Sequence, residues 1–125
     1  MATNPIRTAI AAPPGNLLDA LQSFVRAQPD IVVEVIATDL DAARQAASQA
    51  ATAILILDLA LGEEQAYQLI SWICQVRPAL SCIVLADNRP QQQRSLAAGA
   101  RHALLKGCLD EDLIAALRAG GGTQA

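Results

Sequence analysis

The sequence predicts an α/β fold, a single doubly wound parallel sheet with helices on both faces, and three features carry that prediction. Five short apolar runs alternate with five longer segments whose apolar residues recur at helical spacing. Lone charges close two of the runs, Asp58 after Ile54-Leu55-Ile56-Leu57 and Lys106 after Leu104-Leu105. The carboxyl ends of strands are where open α/β sheets place their working residues. The composition, 53% hydrophobic, rich in alanine and with only one Trp, one Tyr and one Phe, suits helices packed closely on a sheet.

Each element has its own local reason. Ile6 to Ala11 is an apolar run that stops at Pro13-Pro14-Gly15, and Asn16 is placed to cap the periodic segment Leu17, Leu18, Leu21, Phe24, Val25. The β-branched stretch Ile31 to Ile36 follows Pro29-Asp30, and Asp39 can cap an alanine-rich helix from Leu40 to about Ala50. The third strand, Ile54 to Leu57, ends at Asp58, and a helix from about Glu63 to Arg77 begins with two acids that match its dipole and stops at Pro78. Cys82 to Leu85 is the fourth strand. After the loop Asp87-Asn88-Arg89, a helix opens at Pro90 and closes at Gly99. Ala103 to Leu105 is the fifth strand, and the last helix starts at Asp110-Glu111-Asp112 and ends near Arg118. Right-handed crossovers between successive parallel strands then place helices on both faces.

With 125 residues the chain makes one compact domain, residues 1–119, and residues 120–125, which include Gly120-Gly121-Gly122, form a flexible tail or the stub of a linker. The net charge is −3 and the basic residues are scattered singly, so no positive stripe is available for direct binding of nucleic acid. No apolar run approaches the roughly 18 residues of a membrane span, and the first five residues lack the basic start and apolar core of a signal peptide, so no membrane partner and a cytoplasmic location are expected. Cys74, Cys82 and Cys108 form an odd set without metal-ligand spacing and read as reduced thiols, Cys108 the most exposed; His102 reads as a surface or rim imidazole. Trp72, Tyr67 and Phe24 sit where they can pack against the sheet.

In the flavodoxin-like strand order 2-1-3-4-5, the crevice opens at the carboxyl ends of strands 1 and 3, and Asp58 stands at its edge. Lys106 lies two strands over, roughly 10 Å away at about 4.8 Å per strand. Its four-carbon stem can lean across strand 4, which ends at the small Ala86, to form an ion pair with Asp58. Lys106 is the only lysine among nine basic residues. Asp87, just past strand 4, reads as a loop cap.

These stretches resemble the receiver domain of two-component response regulators, the CheY-like superfamily. Ile6-Arg7-Thr8-Ala9-Ile10 is similar to the first receiver strand, Ala53 to Leu61 to the segment carrying the phosphorylated aspartate, and Gly99 to Gly107 to the segment carrying the family lysine. The resemblance implies that Asp58 is the phosphoacceptor, taking its phosphoryl group from a histidine kinase, and that Lys106 contacts that group. It equally implies losses. The acidic pair that helps hold Mg²⁺ in the family corresponds to Ala12 and Pro13, the hydroxyl ending strand 4 to Ala86, and the aromatic of strand 5 to Ala103. Mg²⁺ would keep Asp58, the Ala60 carbonyl and water, a weak site, with Asp87 the one nearby acid that could substitute for the missing pair, although its first reading is the loop cap.

The resemblance therefore points to a degenerate, pseudo-receiver form of the domain, not an enzyme, acting as a phosphorylation-independent interaction module in phosphorelay signalling. The alternative is a working phosphoacceptor at Asp58 with weak Mg²⁺ affinity. Protein partners would be a histidine kinase, an output domain or a second copy forming a homodimer. They would meet the face built by the fourth helix, fifth strand and fifth helix, where Ala97, Ala98 and Ala103 predict a flat patch of small residues. A flavodoxin-like nucleotide binder fits poorly, because Pro13 and Pro14 offer no N–H to a phosphate.

Overall fold

The computed structural model describes residues 5–121. The elements run β1 (Ile6–Ala11), α1 (Asn16–Arg26), β2 (Ile31–Ala37), α2 (Leu40–Ser48), β3 (Ile54–Asp58), α3 (Glu63–Val76), β4 (Ser81–Ala86), α4 (Arg89–Ala98), β5 (His102–Leu105) and α5 (Leu109–Gly121). All neighbouring strands are parallel and the order is β2-β1-β3-β4-β5, the doubly wound arrangement expected from the sequence. Crossovers reverse direction at β1 and β3, so the carboxyl ends of these strands open toward one rim of the sheet.

Strand alternation divides the core in two. Ile54 and Ile56 of β3 face α1 and α5, where they pack with Ile10, Ile83, Leu85, Leu21, Val25, Leu113 and Leu117. Leu55 and Leu57 face α2 and α3, meeting Ala43, Ala46, Ala47, Ile70 and Ile73. Because both faces are covered, every residue of β3 and β4 is buried, as an interior parallel strand requires. Three buried alanines on α2 let that helix lie close to the sheet. The carbonyls at its end and in the loop beyond accept from the Arg77 guanidinium, at 2.7 Å from the oxygens of Ala47 and Gln49 and 2.9 Å from that of Thr52. One side chain from the end of α3 thus satisfies acceptors that α2 leaves unpaired.

Several local expectations need correction. Asn16 is the first residue of α1 and not its cap; Gly15 holds the cap position, and no side chain accepts from the first turn. Helix α4 begins at Arg89, with Asn88 as the cap and Pro90 in the first turn, because Asn88 supplies an acceptor that Pro90 cannot. Helix α2 stops at Ser48, and α5 starts at Leu109 after a 3₁₀ turn over Lys106–Cys108 and continues to Gly121. The remainder of the tail expected at 120–125 lies outside the described residues, as does the side chain of Cys108. Of the other cysteines, Cys74 is exposed and Cys82 is buried in the core, where desolvation pushes its thiol up to about 12. Among the described residues no group of three or more His, Cys, Asp or Glu could hold a metal ion, and no helix is long and apolar enough to cross a membrane.

His102, expected as a surface or rim imidazole, is half-buried on the edge strand β5. It pairs in register with Ile83, so it shares the face covered by α1 and α5, and its Nε2 is sealed without a hydrogen-bond partner. Burial, and then the adjacent Arg101 charge, hold its pKa below the ordinary 6.5. Below pH 6.5 the unfolded chain therefore takes up a proton that the fold refuses, and stability falls as pH drops through that window. Chemical denaturation at pH 7.5 and 5.5 should show a smaller acid-side loss for His102→Leu than for the natural chain. Equal losses in the two proteins would remove His102 from the acid limb.

Candidate functional site

The rim above β3, β4 and β5 gathers the charged residues. Asp58 is the last residue of β3 and lies in register with Leu85 of β4, so its side chain, 3% exposed, is enclosed by strand ends on either side. Its Oδ1 accepts from the Ala60 N–H at 2.9 Å, which caps the 3₁₀ turn Leu59–Leu61 and aims the carboxylate along the rim. Beyond the intervening β4, which ends at the buried Ala86, Lys106 follows the last residue of β5. Its Nζ stands 2.7 Å from Asp58 Oδ1, so the two strand-end charges form a direct ion pair.

Lys106 has a second acidic partner. Asp87 Oδ1 lies 3.2 Å from the same Nζ, with the Asp87 side chain 58% exposed. Partial burial of Lys106 opposes its charge, yet the hydrogen bonds and charges of Asp58, and then Asp87, outweigh that burial and hold its pKa above the usual lysine value. Asp87 is thus not the loop cap that its position suggested. Asn88 takes that role, its Oδ1 accepting from the Gln91 N–H at 3.0 Å. Gln91 reciprocates one residue early, its Oε1 accepting from the Asp87 N–H at 2.8 Å, in a variant of the capping box. The Asn88…Gln91 spacing was the signal available in the sequence; the direction of the Asp87 carboxylate depends on β5 and was not.

The same cap is tied to α3. Gln91 Nε2 donates to Glu63 Oε1 at 3.1 Å, and the Tyr67 hydroxyl donates to Glu63 Oε2 at 2.8 Å. Burial, and then Glu63, push the Tyr67 hydroxyl up to about 12. Arg94 of α4 makes two hydrogen bonds to Glu64, at 2.8 and 3.1 Å, and stacks 4.2 Å over the Tyr67 ring. Glu63 and Glu64 therefore do more than match a helix dipole: they connect α3 to α4. Sequence reasoning missed this link because residues nearly thirty positions apart meet only once the helices pack.

The positions opposite Asp58 carry no functional oxygen in their side chains. Ala12 is fully buried, its N–H donating to the Ala37 carbonyl at 3.0 Å, and Pro13 follows without an N–H. Ala86 is buried, and Ala103 packs in the core among the residues facing α2 and α3. The flat patch expected from Ala97, Ala98 and Ala103 is therefore not formed. Alternation along β5 turns Ala103 inward, Ala98 packs partly against the core, and only Ala97 is exposed; the large apolar side chain on this helix's surface is Leu96, 48% exposed.

Mg²⁺ requires near-octahedral oxygen donors and commonly takes one or two carboxylates with water and phosphate. Here Asp58 Oδ1 is engaged by an ammonium and an amide, Asp87 is drawn to the same ammonium, and Ala12 and Pro13 contribute no side-chain donors. The residues present do not fit a Mg²⁺ site in the resting arrangement.

The family model of the response regulator receiver domain matches residues 15–118. No curated protein sequence matches the chain. Among solved structures it is similar to the response regulator domain of Thermotoga maritima CheB, at 16% identity and TM-score 0.81, covering 98% of this chain and 100% of that one. It is also similar to a LuxR family two-component response regulator from Aurantimonas sp. SI85-9A1, at 17% identity and TM-score 0.81, covering 93% of this chain and 84% of that one. The Salmonella typhimurium RcsB response regulator matches at 23% identity and TM-score 0.78, covering 98% of this chain and 64% of that one.

Proposed function

Since this chain belongs to the response regulator receiver domain family, we propose that it is an atypical receiver, a phosphorylation-independent interaction module of two-component signalling. The single observation that carries the reading is the shell around Asp58: alanine or proline at 12, 13 and 86, and a lysine already neutralised by two carboxylates. Phosphoryl transfer depends on positioning and on charge stabilisation of the transferring group. Each 1.4 kcal/mol or so of lost stabilisation slows the step about tenfold, so a shell lacking several donors slows it by orders of magnitude.

In this reading residues 1–119 are the working unit, Asp58 and Lys106 form a resting ion pair, and the partner is a protein: a kinase, an output domain or a second copy. Contact would use α4, β5 and α5, with Leu96 as the apolar contact, in the cytoplasm. RcsB, by its description, interacts with DNA; a DNA-directed role for this chain would need a separate output domain. One observation favours the alternative, a phosphoacceptor at Asp58 with weak Mg²⁺ affinity, because Asp58 and Lys106 stand 2.7 Å apart at the correct strand ends.

Intact mass spectrometry after incubation with acetyl phosphate and Mg²⁺ separates the two readings. The expected result is no phosphoryl adduct under conditions that label an ordinary receiver in parallel. A single adduct that disappears in Asp58→Asn would replace this reading with the working phosphoacceptor.

A further inference from the structure

We infer that Asp87 is a built-in anion that occupies Lys106 and so blocks a phosphoryl group from the site. This deepens the proposed function and rests on its resting ion pair. The ammonium of Lys106 has three donors; Asp58 Oδ1 and Asp87 Oδ1 lie within reach of it at 2.7 and 3.2 Å. Two carboxylates against one ammonium leave the rim with a net negative charge. An incoming phosphoryl group brings further negative charge toward this rim and competes with Asp87 for the same ammonium.

An exposed aspartate would ordinarily be free to move aside, at little cost. Asp87 is restrained by its backbone. Its N–H is bound by Gln91 Oε1, the following Asn88 caps α4, and Gln91 is anchored to Glu63 at the start of α3. These bonds fix the Asp87 main chain at the end of β4, directly between Asp58 and Lys106 in strand order. The carboxylate is thereby presented to Nζ by the architecture of the α4 cap and not only by attraction to it.

In the blocked reaction, a carboxylate oxygen of Asp58 would form a bond to the phosphorus of acetyl phosphate as the bond from phosphorus to the acyl oxygen breaks and acetate departs. No proton is exchanged in that step. Removing Asp87 takes away one negative charge beside the entering group and frees a donor of Lys106. At the effective dielectric of a protein rim, a unit charge a few ångströms away corresponds to about tenfold or more in rate.

The test is the labelling rate with acetyl phosphate, followed by intact mass, for the natural chain, Asp87→Asn and Asp87→Ala, with Asp58→Asn added to the last as a control. Asp87 is exposed, so its variants should fold, which a thermal melt verifies. The expected order is Asp87→Ala fastest, at least about tenfold above the natural chain, with Asp87→Asn between them and no adduct without Asp58. Labelling of Asp87→Ala no faster than the natural chain, including no labelling of either, overturns the role of Asp87. A natural chain labelled as fast as an ordinary receiver sinks the phosphorylation-independent reading by itself, whereas the ratio between variant and natural chain decides on Asp87.

Discussion

Lys106→Ala is expected to destabilise the domain by about 3 kcal/mol, the low end for breaking a buried ion pair, whereas Asp58→Ala should cost only about 1 kcal/mol. The asymmetry comes from what each truncation leaves behind. Without Lys106, a carboxylate that is 3% exposed keeps the Ala60 N–H as its hydrogen-bond partner and faces Asp87 with no cation between them. Without Asp58, Lys106 still has Asp87 and, being 22% exposed, reaches water. The double variant should therefore lie near Asp58→Ala, giving a coupling of about 3 kcal/mol in a urea denaturation cycle. Additive costs, or a Lys106→Ala chain as stable as the natural one, would mean that the pair contributes nothing to the fold.

The pH dependence supplies an internal control. The Lys106 pKa is raised above the ordinary 10.5, so its stabilisation is fully present below that value and is lost as pH climbs past it. The gap between the natural chain and Lys106→Ala should be constant from pH 7 to 9.5 and narrow above 10.5. Ionisation of Tyr67 and Cys82 in the unfolded chain also weakens the fold at high pH, but it does so in each protein and cancels from the difference.

The ion pair was legible in the sequence because both partners are lone charges that end apolar runs, and parallel alternation leaves little choice about where strand ends meet. The alternation implies parallel strands covered on both faces, whereas the order 2-1-3-4-5 comes with the flavodoxin-like class. Asp87 was not legible. It is an exposed loop residue whose neighbours Asn88 and Gln91 belong to an ordinary helix cap, and the lysine it meets stands two elements later. Ala103 shows the opposite error: a small residue on a strand at the presumed partner face reads as surface until the register turns it toward the core. The face that His102 shares depends on register in the same way, through its pairing with Ile83. Local pattern resolves periodicity and ends; which of two faces an edge-strand residue occupies depends on register, a tertiary property.

Gly99→Ala is expected to cost 3 kcal/mol or more, roughly a 10 °C fall in melting temperature for a domain of this size. Gly99 ends α4 in a left-handed conformation, φ +118°, where a side chain is strained whatever the space around it. Space is also lacking: an added Cβ would stand 2.8 Å from Cys74 Cβ and 2.9 Å from Cys74 Sγ on α3. Shortening the cysteine does not cure this, because Cys74→Ala removes Sγ and keeps the Cβ in place. The double variant should recover less than half of the loss, and full recovery would show that the sulfur alone was in the way. The consequence reaches the site as well. Close approach at Gly99 and the Gln91 to Glu63 bond hold α4 against α3 at opposite ends of the helix, so forcing the lower end apart should loosen the upper. If so, Gly99→Ala should also release part of the block that Asp87 imposes, and its acetyl phosphate labelling should rise above that of the natural chain even below its own melting transition. A variant that melts within about 2 °C of the natural chain would show instead that α4 has room to shift and that this contact does not set its position.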